Sequence, residues 1–560
     1  MGIDLTGFLD LFFYLFQTFN DQASYLNALD AAVGDGDHGD TMLRGFRAAA
    51  RTVREGAYSS ISELFDAVAD TLAEETGGAI GPLLAAFFAE GGRAFDGMED
   101  VGLPALTLFF KRGLEAVGQV GGAQPGDKTL VDALAPAVSA LAKSPQDDML
   151  PALDAAAGAA EHGAQATRAY AASMGRARFL GERGLGHPDP GAVSFALIVR
   201  SLHTVALGDH PAALEIEAFA ASQRVKPLSK FINDPEDMVA EDNCGLALAY
   251  PQLVRLTDAG VLVRAQPKGQ GKVGLAIGHG GGHTPSMGGF LGTGLLDADV
   301  YGPLFTCASG LKIARAIELA ERGGGVILLV SNHAGDVLNA RLAARRAEQL
   351  GIPVSLVLSS DDVATAPRED HLARRGLGGL LFPLKVGGGA AEAGLPLADV
   401  AALMRRTNER TATLAVASRA PRHPVSGERL FDLPEGQIEV GTGVHGEVGV
   451  YRGELLNADG LVGMMLDKLV PDLAAFIQDR VWVFLNGSGG TSQMELHILY
   501  HSVHQELAAR GLQVAAGVVG SYFTTLEMGG FSLSLCALDE EGAGWWQAPA
   551  SSPAFRWPQA

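Results

Sequence analysis

"GVILLVSNHAGDVLNARLAARRAEQLGIPVSLVLS", residues 325–359, places two short β-branched runs on either side of a segment whose apolar residues follow helical spacing. Runs of this length bounded by glycine or proline read as strands, and strand, helix and strand in succession is the alternation of an α/β domain. The alternation extends in both directions. "KVGLAI" (272–277) and "LKIARAIELAERG" (311–323) precede the stretch, and "TLAVAS" (413–418) and "VWVFLNG" (481–487) follow it.

Upstream, the character changes once. Residues 1–207 are rich in Ala, Leu and Glu, and segments such as "ISELFDAVADTLAEE" (61–75) and "LVDALAPAVSALAKS" (130–144) carry apolar residues at helical period. The spacing predicts an all-helical domain over 1–207, a linker over 208–226, an α/β domain over 227–540 and a tail over 541–560, whose Trp545, Trp546 and Trp557 suit docking on a surface. The apolar run "LFFYLF" (11–16) follows Asp4 and Asp10, not a basic segment, and is too short to span a bilayer; it reads as a core helix.

A chain of 560 residues exceeds the size of one growing core, so two or three domains are expected. Forty-two basic against sixty-four acidic residues give a net charge of −22, which disfavours nucleic acid or an anionic membrane as the main partner. Cys244, Cys307 and Cys536 are too few and too scattered for a disulfide framework, and a cytoplasmic location fits.

Within the helical half, "ALDAAVGDGDHGDTM" (28–42) packs Asp30, Asp35, Asp37 and Asp40 into a glycine-rich loop, with Asp30 near the end of a helix. Clustered carboxylates repel one another unless a cation neutralises them, and hard oxygen ligands select Mg²⁺ or Ca²⁺. The alternative is a solvated acidic turn; a calcium loop is disfavoured by Thr41, which stands where a glutamate is needed. "TGGAIGPL" (76–83) and "VGGAQPGDKTLVDAL" (120–134) each lead into a helix and offer N–H groups to an anion, with Lys128 and Thr129 adding a cation and a hydroxyl. "MGRARFLGERGLGHPDPGA" (174–192) supplies Arg176 and Arg178, as surface residues or as phosphate contacts.

In the α/β half, "VGLAIGHGGGHTPSMGGFLGTGLLDADV" (273–300) reads as a strand followed by a glycine turn carrying His279 and His283, and Asp336 takes an equivalent place after the strand of 325–331. Such loops at strand carboxyl ends bind ligands in open α/β folds. "EVGTGVHGEVGV" (439–450) isolates His445 among glycines; it is a turn histidine, a metal ligand or a catalytic group, and with only Glu447 nearby in sequence catalysis is favoured over metal.

Together, the four motifs of the first half resemble the nucleotide-binding L domain of dihydroxyacetone kinases over residues 5–205. The second half, with "FINDPEDMVAEDNCGLALAYP" (231–251), "FLNGSGGTSQMEL" (484–496) and "GSYFTTLEMGGFSLSL" (520–535), resembles their ketose-binding K domain over 222–538. The resemblance implies an N-terminal all-α helical barrel followed by an α/β domain of two subdomains. It also implies two Mg²⁺ ions on Asp30, Asp35 and Asp37 carrying ATP phosphates, and a nucleotide lined by His38, Thr41, Gly78, Ala79 and the loop of Gly121, Gly126, Lys128 and Thr129, with Arg176 nearby. In the second half it implies a ketose held as a hemiaminal on His445, Asp336 as base, and His283 with Gly282 beside the substrate oxygen. A homodimer is implied as well.

The chain departs from the family pattern at Gly281 and Thr284, where serine and glutamate are usual, and at Ile80, a position where a small hydroxyl residue is common. It also has "NHAGD" for Asn-Tyr-Thr-Gly-Asp. These changes open the substrate to a four-carbon ketose such as erythrulose, or to a branched one. A phosphotransferase-system component and a ketose sensor are the other readings. Intact Asp336 argues against a sensor, which needs the tether but not the base.

Overall fold

The computed structural model describes residues 2–145, 148–208, 230–424, 427, 429–447 and 449–558. The chain divides into two compact units, 1–226 and 227–560. Most of the expected linker lies outside the described residues.

The first unit holds helices α1 (Leu5–Ala31), α2 (His38–Glu55), α3 (Ile61–Glu75), α4 (Ile80–Gly92), α5 (Leu103–Gly121), α6 (Val131–Lys143), α7 (Met149–Ala166) and α8 (Pro190–Ala206). Strand β1 (Ile3–Asp4) pairs with β2 (Asp100–Val101). Each helix packs on the next, and α8 returns to α1, closing a ring. Short connections make neighbours antiparallel, so every second loop falls at the same end. Those loops, α1–α2, α3–α4, α5–α6 and α7–α8, carry the four motifs singled out above. Phenylalanines fill the interior: Phe8 meets Phe65 with ring centroids 5.1 Å apart, Phe65 meets Phe109 at 5.4 Å, and Phe87 meets Phe195 of α8 at 5.1 Å. The "LFFYLF" run lies in α1, with Leu11, Phe12, Leu15 and Phe16 buried as expected.

The second unit contains two six-stranded sheets. One orders β3 (Val254–Leu256), β4 (Val261–Arg264), β6 (Ala298–Leu304), β5 (Gly274–Gly281), β7 (Val326–Ser331) and β8 (Val354–Ser359), with β6, β5, β7 and β8 parallel. Along β7, Val326, Leu328 and Val330 face helices Gly310–Ala320 and Ala334–Gln349, while Ile327 and Leu329 face the opposite core. That period of two is the mark of a strand covered on both faces. The other sheet orders β11 (Tyr451–Glu454), β10 (Gln437–Val440), β9 (Thr411–Arg419), β14 (Gly529–Cys536), β12 (Arg480–Gly487) and β13 (Gln513–Gly520). It is mostly antiparallel, with β12 and β13 its parallel pair. Trp482 and Phe484 from this sheet join Ile277 and Leu329 of the first in one core around the buried helix Leu381–Ala393, so the two α/β subdomains share an interior.

The C-terminal segment is part of this unit. Trp546 packs on Phe382 with centroids 5.4 Å apart, and β15 (Ala550–Ser551) pairs with β16 (Arg556–Trp557). The buried Lys385 ammonium donates to the carbonyls of Trp546 at 2.9 Å and Ala548 at 2.7 Å, which ties the tail to the central helix.

Candidate active site

In the helical unit, Asp30 lies in the last turn of α1 and Asp37 immediately precedes α2. One carboxylate oxygen from each of Asp30, Asp35 and Asp37 lies within 4.8 Å of the other two. Asp30 Oδ2 also accepts from the N–H groups of Gly36 (2.8 Å) and Asp37 (3.1 Å), which fixes the loop. Gly39 is required by close approach: a β-carbon there would stand 2.0 Å from the Ala23 carbonyl oxygen of α1. An all-carboxylate set of this kind suits a hard divalent cation such as Mg²⁺.

The neighbouring loops are braced against one another. His38 Nε2 lies 3.0 Å from Ser194 Oγ on α8, and Thr41 Oγ1 accepts from Arg44 at 3.2 Å. Gly78 has a φ of +56°, and Ala79 caps α4. Gly121 ends α5. The Gly126 and Thr129 N–H groups donate to the two oxygens of Asp132, at 2.6 and 2.8 Å. Asp132 was not singled out from sequence, although it stands three residues beyond Thr129, within capping reach. Asp189, which caps α8 through the Ala192 N–H, was missed too. Burial pushes its carboxyl up to about 7; the Ala192 hydrogen bond opposes this, and the charges of Asp132 and Asp30 add to it.

Lys128 differs from expectation. Its ammonium turns to the carbonyls of Gly184 (2.6 Å), His187 (2.8 Å) and Tyr170 (3.3 Å), so its charge anchors the 170–187 segment. The physical reason is burial: only 2% of the residue is exposed, and a buried ammonium must satisfy its donors. Arg176 opens a 3₁₀ stretch, Arg176–Gly184, and its side chain lies outside the described residues.

In the α/β unit, His279, His283, His333, Asp336 and His445 line one cavity of about 40 Å³, together with Ser286, Leu377, Leu380 and Phe523. That volume holds a few waters or a small polar molecule. Asp336 sits in the first turn of the helix Ala334–Gln349, where the helix dipole favours its charge. His445 comes from the turn between β10 and β11. Its Nδ1 lies 3.1 Å from Glu447 Oε1, and its backbone N–H donates to Glu447 Oε2 at 2.9 Å. Gly443 makes room for this: a β-carbon there would stand 1.9 Å from Glu447 Oε2. Burial alone would raise the Glu447 pKa, but the charge and hydrogen bond of His445, with Arg375 and His333, hold it well below the usual carboxylate range. In the neutral ring of His445, an ionised Glu447 accepts Nδ1–H, so Nε2 carries the lone pair.

The other histidines are held differently. His283 Nδ1 lies 2.8 Å from the Thr524 carbonyl, so Nδ1 donates and Nε2 accepts. Burial, joined by the neighbouring His445, drives its pKa well below the ordinary value and keeps the ring neutral. His279 pairs with Asp299 at 3.2 Å; burial lowers its pKa, but Asp299 and Asp336 more than offset that and leave it raised.

Two expectations about specificity change. Thr284 does not line the cavity; its hydroxyl donates to Asp242 at 2.6 Å, on the outer side of the turn. Gly282 does not line it either; its carbonyl accepts from the Leu526 N–H at 3.1 Å. At Gly281 a β-carbon would stand 2.4 Å from Val239, so the helix Met238–Ala249 occupies the space a serine would need. Among the departures, His333 does reach the cavity.

Comparison with known proteins places both halves. The DAK2 domain family matches residues 32–204, and the Dak1 domain family matches residues 244–554, more than half of the chain. An L-erythrulose kinase of Pectobacterium atrosepticum is 37% identical over 333 residues, 59% of this chain and 56% of that protein. The dihydroxyacetone-binding subunit DhaK of the PEP-dependent dihydroxyacetone kinase of Escherichia coli is 31% identical over 59% of this chain and 99% of its own length. Among solved structures, the dihydroxyacetone kinase of C. freundii in complex with AMP-PNP and Mg²⁺ superposes with a TM-score of 0.53 at 28% identity, covering 59% of this chain and 61% of that one. The match thus spans little more than half the length of the erythrulose kinase. With a DAK2 domain followed by a Dak1 domain, the chain belongs to the dihydroxyacetone kinase family.

Proposed function

We propose that this protein transfers the γ-phosphoryl group of ATP to a hydroxyl of a short ketose, dihydroxyacetone or a four-carbon ketose such as erythrulose. The observation that carries the reading is the Glu447-bound Nδ1 of His445, which leaves Nε2 as the lone-pair nitrogen of a ring that lines a cavity with Asp336 and His283. Nε2 adds to the ketone carbon as the C=O π bond breaks and the oxygen takes a proton from water, leaving a hemiaminal whose Nδ1–H stays paired with Glu447; the step is open to a ketose and closed to glycerol. Asp336 takes the proton of the hydroxyl whose oxygen attacks phosphorus, and His283 Nε2 accepts a hydrogen bond from a substrate hydroxyl and orients it. Asp30, Asp35 and Asp37 hold Mg²⁺, which when bound neutralises charge on the transferring phosphoryl group. His38, Thr41, Gly78, Ala79 and the 121–129 loop, without the Lys128 ammonium, line the nucleotide in this reading. The kinase names of the relatives, and the AMP-PNP and Mg²⁺ of the solved neighbour, support it. A homodimer is part of the same reading.

The E. coli relative's name favours one alternative, phosphorylation that depends on a partner phosphodonor. A coupled ADP-release assay with ATP and Mg²⁺ separates the two, run against dihydroxyacetone, D- and L-erythrulose, glycerol and no acceptor, with His445→Ala alongside. Ketose-dependent turnover that collapses in the variant supports the kinase; ketose binding with no turnover on ATP supports the partner-dependent route.

A further inference from the structure

His333 stands where the family resemblance leads one to expect tyrosine, and it brings a third ligand-type group to His445 and Glu447. Its Nε2 lies 3.1 Å from the Gly376 carbonyl oxygen, so Nε2 carries the proton and Nδ1 is the acceptor nitrogen. Nδ1 lies 4.0 Å from Glu447 Oε1, the same oxygen that stands 3.1 Å from His445 Nδ1. The donor atoms of all three residues fall within 4.8 Å of one another, and all three residues are buried.

We propose that His333, His445 and Glu447 form a binding site for a first-row transition metal, with Zn²⁺ as the fitting ion, that competes with the ketose for His445. Two imidazoles and one carboxylate are a zinc ligand set, with the fourth position left to water. Tetrahedral bonds of about 2.1 Å put ligand atoms about 3.4 Å apart, so the 4.0 Å gap closes by less than about 1 Å. The carbonyl of Gly376 fixes the His333 ring, as partners behind metal-bound histidines do.

The metal takes the Nδ1 lone pair of His445, and the ring proton that Nδ1 gives up settles on Nε2. No lone pair then remains to add to a carbonyl. Metal on Nδ1 therefore opposes ketose addition at Nε2, which then has to lose that proton first; this competition rests on the tether proposed above, and metal binding itself does not.

The test is a Co²⁺ titration of the untagged full-length protein in excess Mg²⁺, which occupies the carboxylate loop, read by the visible absorption of tetrahedral Co²⁺. One equivalent is expected to give the band, and His333→Tyr and His333→Gln are expected to weaken binding at least about 10-fold, with folding checked by thermal unfolding. No band, or a band undiminished in both folded variants, overturns the site; the second result would move the signal to the exposed His497 and His501. Displacement of Co²⁺ by dihydroxyacetone supports the competition. A band lost in both variants but indifferent to ketose upholds the site and counts against the tether.

Discussion

His445 Nδ1 and Glu447 Oε1 lie 3.1 Å apart, two residues from each other in the chain and both buried. The pair fixes which imidazole nitrogen can act. Glu447→Gln leaves an acceptor in place but removes the charge that selects the tautomer. Kcat/KM for the ketose should fall by about 10- to 100-fold, with little change in KM for ATP. Gly443→Ala should produce the same pattern by pushing Glu447 aside. An unchanged kcat/KM in both would remove Glu447 from the account.

Acid should destabilise the second unit through two groups acting in one direction. The folded-state pKa of His283 is well below its ordinary 6.5, so as pH falls the unfolded ring binds a proton that the folded ring refuses. Glu447, held well below its ordinary 4.5, keeps its stabilising charge above that pH and loses it as pH falls through the folded value. The melting temperature should therefore decline from about pH 6.5 downward and steepen below about pH 4.5. His283→Gln should remove the first part of the decline. A flat profile between about pH 7.5 and 5 would contradict this.

Lys385 tests the attachment of the tail. Burial lowers its pKa to about 8, and its donors go to the Trp546 and Ala548 carbonyls. Lys385→Met strands those carbonyls and should cost about 1–3 kcal/mol, the penalty for buried acceptors left without donors. Proteolysis should then cut between the helix Glu540–Trp546 and the C-terminus before the core is lost. Equal protease resistance in both proteins would show that Phe382 and Trp546 packing suffices.

For the carboxylate loop, chelation of Mg²⁺ should abolish turnover reversibly. Asp35→Asn should raise the Mg²⁺ concentration giving half-maximal rate by at least about 10-fold, while ketose binding measured without nucleotide stays unchanged. Turnover at the original Mg²⁺ requirement would exclude Asp35 as a ligand.

Much of this protein is written locally. Helical and alternating periods name the two halves, because 3.6- and 2-residue repeats reflect which side chains must leave water. The clustering of Asp30, Asp35 and Asp37 was legible as well, since residues that close in sequence stay close wherever the chain goes. What tertiary structure decided is where long side chains end. Lys128 reads as a phosphate cation beside Thr129, yet its buried ammonium reaches carbonyls 42 to 59 residues away. Thr284 reads as a specificity position, yet its hydroxyl leaves the cavity for Asp242. His333 lies 112 residues before His445, and no spacing rule joins them; only the meeting of the β7 and β10 ends brings their rings to 5.0 Å. Sequence separation carries no information about such pairs, because their contact is set by how the two sheets share a core.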